Sequence, residues 1–331
     1  MPHLLGQLLL PLCLGLGLGG AAWGAAAQTG MPTHPDRPIT LVVSFPPGGT
    51  PDQIARLLAP QLQARWKNPV IVVNRAGASG NLGNDSVARA EADGHTLLVT
   101  PNTFTMVPHV LPAGGQHADV VKDYTPIALL SSASMLMLAN PRLGAKTAGD
   151  VARIAKTQPD LGYATSGNGS PMHIVGELFN KVARVQLRHV PYKGTTPAIN
   201  DVLGSHVMLT FLGMPVAKPL IDAGRLVPLA VADKARSSFL PSLPTMQEQG
   251  FAGVEVDISF GVYGPRNMDP ALADDINKTL REILAKPEVA AQFRNLYQSV
   301  ENQPRSAFAE KTRADYKRYG KLVKELGITA D

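Results

Sequence analysis

Short apolar segments alternate with segments of helical periodicity along most of the chain, and this alternation predicts an α/β fold. Most of the apolar segments are continuous, which is typical of strands that are covered on both faces. Strands are predicted at residues 39–43, 70–73, 96–99, 127–130, 135–139, 161–164, 186–190, 207–211, 226–231 and 259–263. Helices are predicted between many of them, including 52–66, 82–90, 171–182 and 197–203. This order implies parallel, doubly wound sheets.

The C-terminal third differs, because it carries three helical patterns at 270–285, 288–295 and 305–326. In the third pattern, one face holds Phe308, Thr312, Tyr316, Tyr319, Val323 and Leu326. The opposite side is expected to hold Lys311, Arg313, Lys317, Arg318, Lys321 and Lys324. We interpret it as an amphipathic helix packed on a domain. Docking of its basic side to an acidic partner is the alternative.

No linker divides the chain into two sequential domains, and the sequence contains no repeat of 20–50 residues. These observations are compatible with two lobes between which the chain crosses more than once. In such folds the ligand lies in the cleft beyond the carboxyl ends of the strands.

The first 27 residues contain no Lys, Arg, Asp or Glu and end in Ala25-Ala26-Ala27. This pattern predicts a signal peptide that is cleaved before Gln28, and a retained membrane anchor is the alternative. The only cysteine, Cys13, lies in this segment and lacks the small preceding residues of a lipid-attachment site. The mature chain would then have no cysteine, which excludes thiol catalysis and cysteine metal sites. We therefore expect a freely soluble, exported protein.

The net charge is +5 and aromatic residues make up 5% of the chain. Because the basic residues are not interleaved with aromatic ones, the composition argues against nucleic-acid binding, while the positive field favours small anions. The eight histidines lack metal-site spacing, so no metal and no cofactor are predicted. The sequence has no G-x-S-x-G elbow, and neither Ser79 nor Ser170 has an identifiable base. An enzyme is therefore not expected.

The segment SFPPGGTPD at 44–52 connects a predicted strand to a predicted helix. Thr50 is predicted to be the N-cap, with Pro51 at the first helical position and Gln53 completing a capping box. Asp52 lies in the first turn, where its charge would compete with an anion unless it caps its own helix.

Gly48 and Gly49 would let the backbone of this loop approach a ligand with its N–H groups turned inward. The helix N-terminus adds a partial positive charge, so the loop favours an anion. A phosphate-binding P-loop would have lysine directly after the last glycine, where this chain has Thr50. We therefore exclude phosphate transfer, and a purely structural turn is the alternative.

A second segment repeats this pattern, because a predicted strand is followed by Gly167, Gly169, Ser170 and Pro171 before a helix. Ser170 is predicted to be the N-cap, and His173 is expected to hydrogen-bond its own loop. If the two loops belong to different lobes, two amide-lined anion sites would face each other across a cleft. One small molecule with two carboxylates could bridge them.

Two further segments offer polar groups near these loops. Tyr192, Lys193 and Gly194 precede another predicted helix, and Lys193 would supply a full positive charge, with a solvated turn lysine as the alternative. Asn102 and Thr103 follow a predicted strand at its carboxyl end. A ligand contact is expected there.

Several motifs recur in an order that resembles a known family. They are FPPGGTPDQIAR, VNRAGASGNLG, ADGHTLLV, SGNGSPMH, VPYKGTTPAINDVLG, AGRLVPLAV and LPTMQEQGF with GVYGP. In this order they resemble the periplasmic substrate-binding proteins of tripartite tricarboxylate transporters, the Bug receptors. The resemblance covers residues 31–328.

The resemblance implies a two-lobed flytrap fold in which each lobe is a doubly wound α/β sheet flanked by helices. The signal peptide would cover 1–27, the first lobe 32–131 plus 260–331, and the second lobe 132–259. The family's function is to capture a small organic carboxylate and deliver it to a large and a small membrane subunit. A receptor that feeds a sensor kinase is the alternative, and an exported hydrolase is a weaker one.

The resemblance also implies site residues. The loop matching 45–52 would hold one carboxylate through amides and ordered water, the loop matching 165–173 would supply the opposite side, and 192–196 and 211–214 would shape the rest. An apolar wall of Phe211, Leu212 and Met214 would favour a mono- or dicarboxylate with an apolar or aromatic portion. The predicted ligand-binding residues are Phe45, Pro46, Pro47, Gly48, Gly49, Thr50, Asp52, Asn102, Thr103, Thr165, Ser166, Gly167, Asn168, Gly169, Ser170, His173, Tyr192, Lys193, Gly194 and Phe211.

Overall fold

The structure, a computed structural model, describes residues 35–110 and 117–329. The predicted signal peptide, Cys13 and the predicted cleavage site lie outside these residues. None of the described helices is long and apolar enough to cross a membrane.

Strands and helices alternate along the described chain, as the hydrophobic pattern predicts. The strands are β1 (Ile39–Val43), β2 (Val70–Asn74), β3 (Thr96–Pro101), β4 (Tyr124–Ala133), β5 (Met135–Ala139), β6 (Gly162–Thr165), β7 (Arg188–Pro191), β8 (Leu209–Gly213), β9 (Val227–Val231), β10 (Ile258–Pro265) and β11 (Ser299–Val300). The α-helices are α1 (Thr50–Trp66), α2 (Asn81–Ala88), α3 (Ala148–Ala155), α4 (Pro171–Ala183), α5 (Thr195–Leu203), α6 (Met214–Asp222), α7 (Pro270–Leu284), α8 (Pro287–Asn295) and α9 (Arg305–Glu325).

Within the described residues these strands form two sheets. The first has the order β11-β4-β10-β3-β1-β2, and the second has the order β7-β6-β8-β5-β9. In the first sheet β1 is parallel to β2 and β3, and in the second β6 is parallel to β7 and β8. Two sheets with flanking helices confirm the predicted α/β class.

The sheets are mixed, so the prediction of wholly parallel sheets is wrong. β10 is antiparallel to β3 and β4, and β5 is antiparallel to β8 and β9. Strand–helix alternation imposes parallel pairing only on strands that a helical crossover joins. Only Ser134 separates β4 from β5, and β10 returns to the first sheet after the long segment that follows β9. Both strands therefore arrive without a helical crossover from their neighbours.

Each sheet has its own apolar core. Leu41, Leu58 and Phe293 are buried with the first sheet, and Tyr163 and Phe179 are buried with the second. Because the helices cover the strands on their faces, the strand ends remain as the places where polar loops meet.

Helix α9 confirms the amphipathic prediction, since Phe308, Thr312, Tyr319 and Val323 are buried. The assignment of Lys311 to the opposite side is wrong. Its Nζ lies 2.7 Å from Asp315 and 2.9 Å from Asp257. Lys311 comes three residues after Phe308 and four before Asp315, and this spacing puts it on the packed face.

Candidate ligand-binding site

A cavity of 210 Å³ lies where the carboxyl ends of strands from both sheets meet. Phe45 follows β1 and Ser166 follows β6, and both line it. Asn102 and Thr103, which follow β3, also line it, as does Gly213 at the end of β8. This is the position at which open α/β sheets bind ligands. The structure therefore brings the two predicted glycine loops to one cavity.

Four described helices begin at this cavity. Thr50 is the first residue of α1, Pro171 the first of α4 and Thr195 the first of α5, and all three line it. Pro215, the second residue of α6, lines it as well. Because first-turn N–H groups have no intrahelical acceptor, the residues other than proline in these first turns can donate, and each helix adds a partial positive charge of roughly half an elementary charge. Pro171 and Pro215 have no N–H, and the Met214 N–H already donates to the Ser134 carbonyl at 2.9 Å.

The rest of the lining is mostly apolar, and none of the described lining residues is ionised. Its apolar side chains include Met135, Met172, Leu212, Val216, Ile258 and Phe260. An anion in this cavity would therefore meet neutral donors and apolar surface.

In the first loop, Gly49 is the N-cap of α1 and no side chain caps the helix, so the prediction of a Thr50 cap is wrong. The reason is that Asp52 and Gln53 bind the residue before the cap. The Gly48 N–H donates to Asp52 Oδ2 at 2.8 Å, and Gln53 Nε2 donates to the Gly48 carbonyl at 2.9 Å. Thr50 is thereby placed inside the helix, where its side chain lines the cavity.

Asp52 holds the first loop in place. It is 2% exposed, and it accepts hydrogen bonds from Arg56 Nε at 3.0 Å and from Asn74 Nδ2 at 2.9 Å as well as from Gly48. Burial alone would raise the pKa of Asp52, but these hydrogen bonds outweigh it and lower the pKa below its ordinary value. The prediction that Asp52 contacts the ligand is therefore not supported, because its oxygens are already occupied within the protein. Pro46, Pro47, Gly48 and Gly49 are exposed and do not line the cavity.

The second loop is hydrogen-bonded internally. Ser170 is the N-cap of α4, as predicted, and its Oγ accepts from the His173 N–H at 3.3 Å. The Gly169 N–H donates to His173 Nδ1 at 3.2 Å, which confirms that His173 bonds its own loop. The Gly167 N–H donates to Thr165 Oγ1 at 3.2 Å. The N–H groups of Gly167 and Gly169 therefore both donate within the loop. The sequence-based prediction was that they would point toward a ligand.

The second loop packs closely against the residues beneath it. The His173 and His189 rings are stacked with centroids 3.7 Å apart, and Thr165 Oγ1 lies 2.6 Å from His189 Nε2. Gly169 has φ +69°, and a Cβ there would lie 2.4 Å from Val110 Cγ2, so only glycine fits. Thr165, Gly167, Asn168, Gly169, Ser170 and His173 are outside the cavity lining, whereas Ser166 is in it.

The third predicted segment contributes less than expected. Lys193 is exposed and Tyr192, Lys193 and Gly194 do not line the cavity. The Tyr192 hydroxyl donates to Asp201 Oδ2, and burial together with this hydrogen bond raises the pKa of Tyr192 to about 12. Gly194 is the N-cap of α5. The structure therefore supports the solvated-lysine alternative for Lys193.

The side-chain amide of Asn102 is used within the protein. Its Nδ2 donates to the Asp257 carbonyl at 3.0 Å, and its Oδ1 accepts from the Ser259 N–H at 3.3 Å. These bonds tie the end of β3 to the start of β10. By contrast, the neighbouring Thr103 Oγ1 is buried and has no hydrogen-bond partner among the described residues.

Phe211 does not line the cavity, so its assignment to the ligand wall is wrong. It is fully buried in the core of the second sheet, with its ring centroid 5.9 Å from that of Tyr163. Met214 is also fully buried outside the lining, and Leu212 lines the cavity. Successive strand residues point to opposite faces, so only one of Phe211 and Leu212 can face the ligand.

Gln298 lines the cavity and was not predicted from the sequence. It is 2% exposed, and neither its Nε2 nor its Oε1 has a hydrogen-bond partner among the described residues. A single glutamine between a helix and a two-residue strand has no periodicity or motif that would identify it.

A family model and a relative of known type both match most of this chain. The model of the family described as "Tripartite tricarboxylate transporter family receptor" matches residues 54–328. Protein BugT of Bordetella pertussis is 32% identical over 94% of this chain and 96% of its own length.

Solved structures agree with this result. Rpa4515 of R. palustris, in a structure with adipate, is 30% identical with a TM-score of 0.81, covering 90% of this chain and 99% of that one. The periplasmic binding protein BugD is 30% identical with a TM-score of 0.77, and the match covers 90% of this chain and 100% of BugD. MatC of Rhodopseudomonas palustris, with bound malate, is 27% identical with a TM-score of 0.76, covering 87% and 99%.

Proposed function

The chain belongs to the tripartite tricarboxylate transporter receptor family, and from this premise we propose that the 210 Å³ cavity binds a small organic carboxylate for transport. The protein is a solute-binding receptor, and its relatives are receptors rather than enzymes.

The observation that carries the ligand class is the convergence of four helix N-termini on a cavity without ionised lining side chains in the described part of the chain. The neutral N–H donors and partial positive charges of helix N-termini favour negative charge. Because the cavity walls are apolar, each hydrogen bond to an ionised group is stronger there than in water. A carboxylate can therefore be held without a formal salt bridge.

The size and surface of the cavity restrict the ligand further. Its volume lies below the roughly 300–1,000 Å³ of sites for drug-sized ligands, which favours a small metabolite. The apolar wall that includes Met135, Leu212 and Phe260 favours a ligand with a hydrocarbon portion. The adipate and malate bound by related receptors are carboxylates of this size class.

We infer further that the receptor is exported by a cleaved signal peptide and delivers its ligand to a large and a small membrane subunit. The family description and the leader sequence support this inference. The comparisons do not favour a receptor that feeds a sensor kinase or an exported hydrolase.

Native mass spectrometry of the purified mature protein, followed by a thermal-shift screen, tests the ligand class. The screen would cover mono-, di- and tricarboxylates and aromatic acids, with the methyl esters of the same acids as controls. At a hundredfold excess over Kd, a ligand adds about 2.7 kcal/mol of stability, which corresponds to a shift of about 5 °C. We expect such a shift with an acid and not with its ester. Equal shifts with acid and ester, or no shift with any acid in a well-folded protein, would contradict the proposal.

A further inference from the structure

We propose that the side chain of Gln298 selects the ligand's second end, and that this end is an uncharged group that both donates and accepts hydrogen bonds, such as a carboxamide or a hydroxyl. The inference rests on the proposed function, in which the first end is a carboxylate at the helix N-termini. It makes Gln298 a specificity-determining residue.

The burial of the Gln298 amide is the first observation. The residue is 2% exposed and lines the cavity, and both Nε2 and Oε1 lack a partner among the described residues. Buried side-chain polar groups are nearly always hydrogen-bonded, because an unpaired one costs the free energy of its desolvation. An unpaired amide on a residue that lines the cavity therefore indicates a ligand group that pairs with both of its polar atoms.

The backbone fixes this amide in position. The Gln298 N–H donates to the Phe293 carbonyl at 3.0 Å, and the Tyr297 N–H donates to the Arg294 carbonyl at 2.9 Å. Tyr297 has φ +53°. This is the left-handed conformation that glycine usually adopts at the C-terminal end of a helix. Directly after Gln298, Ser299 pairs with Ser132 in the first sheet. Held on both sides, Gln298 cannot turn its backbone away from the cavity.

The neighbouring lining groups do not satisfy the amide. Met135, Ile258 and Phe260 are apolar, and the amide of Asn102 is bonded to the chain at 257–259. Thr103 Oγ1 is itself buried and unpartnered in the described structure, so it adds a further hydrogen-bonding group to the same cavity.

Hydrogen-bond chemistry decides between classes of ligand. A carboxylate is acceptor-only, so it would pair with Nε2 and leave Oε1 buried without a donor. A carboxamide or hydroxyl both donates and accepts, so it can pair with both atoms of Gln298. Exchanging the positions of Nε2 and Oε1 does not change this argument, because both are unpaired. Sites built to form such hydrogen bonds discriminate strongly against analogues that cannot form them.

Isothermal titration calorimetry with matched probes tests the inference. The six-carbon set is hexanoate, adipate and the monoamide of adipate, and the four-carbon set is butyrate, succinate and the monoamide of succinate. In the set that fits better, we expect wild-type protein to bind the monoamide at least tenfold more tightly than the other two acids. Tenfold corresponds to about 1.4 kcal/mol.

Two variants separate the amide from general packing. Gln298→Met keeps the length of the side chain and is expected to lower monoamide affinity at least tenfold, while hexanoate or butyrate binds as well as before. Gln292→Met, at an exposed position of α8, is the matched control and should change nothing. If the methionine variant does not fold, Gln298→Leu also removes both hydrogen-bonding atoms, and the same loss of monoamide affinity is expected.

The outcomes distinguish this inference from the proposed function. A diacid that binds wild-type protein as tightly as its monoamide would overturn the inference and leave carboxylate binding intact. An unchanged ratio of monoamide to hexanoate affinity in folded Gln298→Met would do the same. Failure of wild-type protein to bind any of the six acids would overturn the inference, and the proposed function falls with it only if no acid of the thermal-shift screen stabilises the protein either.

Discussion

Replacement of Asp52 by asparagine is expected to destabilise the protein by about 2 kcal/mol. The carboxylate accepts from the Gly48 N–H, Asn74 Nδ2 and Arg56 Nε. Asparagine keeps the shape but offers one oxygen and turns an NH₂ group toward at least one of these donors. Because the Arg56 side chain is 54% exposed, its ion pair contributes little. Most of the loss therefore comes from the bonds to Gly48 and Asn74.

Urea unfolding followed by tryptophan fluorescence measures this loss. Trp66, the last residue of α1, would be the only tryptophan after removal of the predicted signal peptide, so its signal reports the helix whose first turn contains Asp52. Asp275→Asn, at an exposed position of α7, is the matched control and should change stability by less than about 0.5 kcal/mol. A change that small in Asp52→Asn would refute the assignment of Asp52 as the anchor of the first loop.

The pH dependence gives a second check on Asp52. Its pKa is lowered in the folded state, so its contribution is fully present above the unfolded value of about 3.9 and is lost as pH falls through the folded pKa. The stability difference between wild type and Asp52→Asn should therefore be constant from pH 5 to 7 and shrink below pH 4. A stability difference that grows on acidification would contradict a lowered pKa for Asp52 in the folded protein.

Three further predictions concern the loops. Gly49→Asp should weaken carboxylate binding, because it places a negative charge next to Thr50 in the cavity lining, and should change the melting temperature little, because a Cβ at Gly49 meets only ordinary contacts, the nearest being the Pro46 carbonyl at 3.5 Å; calorimetry showing unchanged affinity would exclude this loop from the site. Ser170→Ala removes the cap on the His173 N–H and should cost about 1 kcal/mol in urea unfolding, with weaker binding; a fully stable variant would mean that the cap is dispensable. Lys193→Met should change affinity less than about threefold at low or high salt, because Lys193 is exposed and outside the cavity lining; a large loss confined to low salt would restore its electrostatic role.

Local signals in the sequence predict the parts of this site that depend on neighbouring residues. Strand β1 and the Ser170 cap follow from an apolar run and from a serine-proline pair, both of which act within a few residues. The prediction of an N-cap at Thr50 is wrong because the Gly48 N–H donates to Asp52. The sequence of this segment allows both this hydrogen bond and a Thr50 cap, so residue type alone does not decide between them.

The rest of the site depends on tertiary packing. Strand β8 is a continuous apolar run, so nothing in its sequence tells that Leu212 faces the cavity and Phe211 the core. Gln298 is in place because Tyr297 adopts a left-handed conformation and Ser299 pairs with β4, neither of which is evident from residue type. Lys193, in contrast, was assigned to the site from the sequence but does not line the cavity, because a lysine next to a binding loop need not face the ligand.

Neutral groups at the helix N-termini are expected to hold the ligand's carboxylate. A crystal structure of the mature protein with the most stabilising acid from the thermal-shift screen tests this arrangement. We expect a carboxylate in the cavity lined by Thr50, Ser166 and Thr195, within hydrogen-bond distance of backbone N–H groups and without a contact to any lysine or arginine. A carboxylate bound to Lys193 or another cationic side chain, or a ligand outside this cavity, would contradict it.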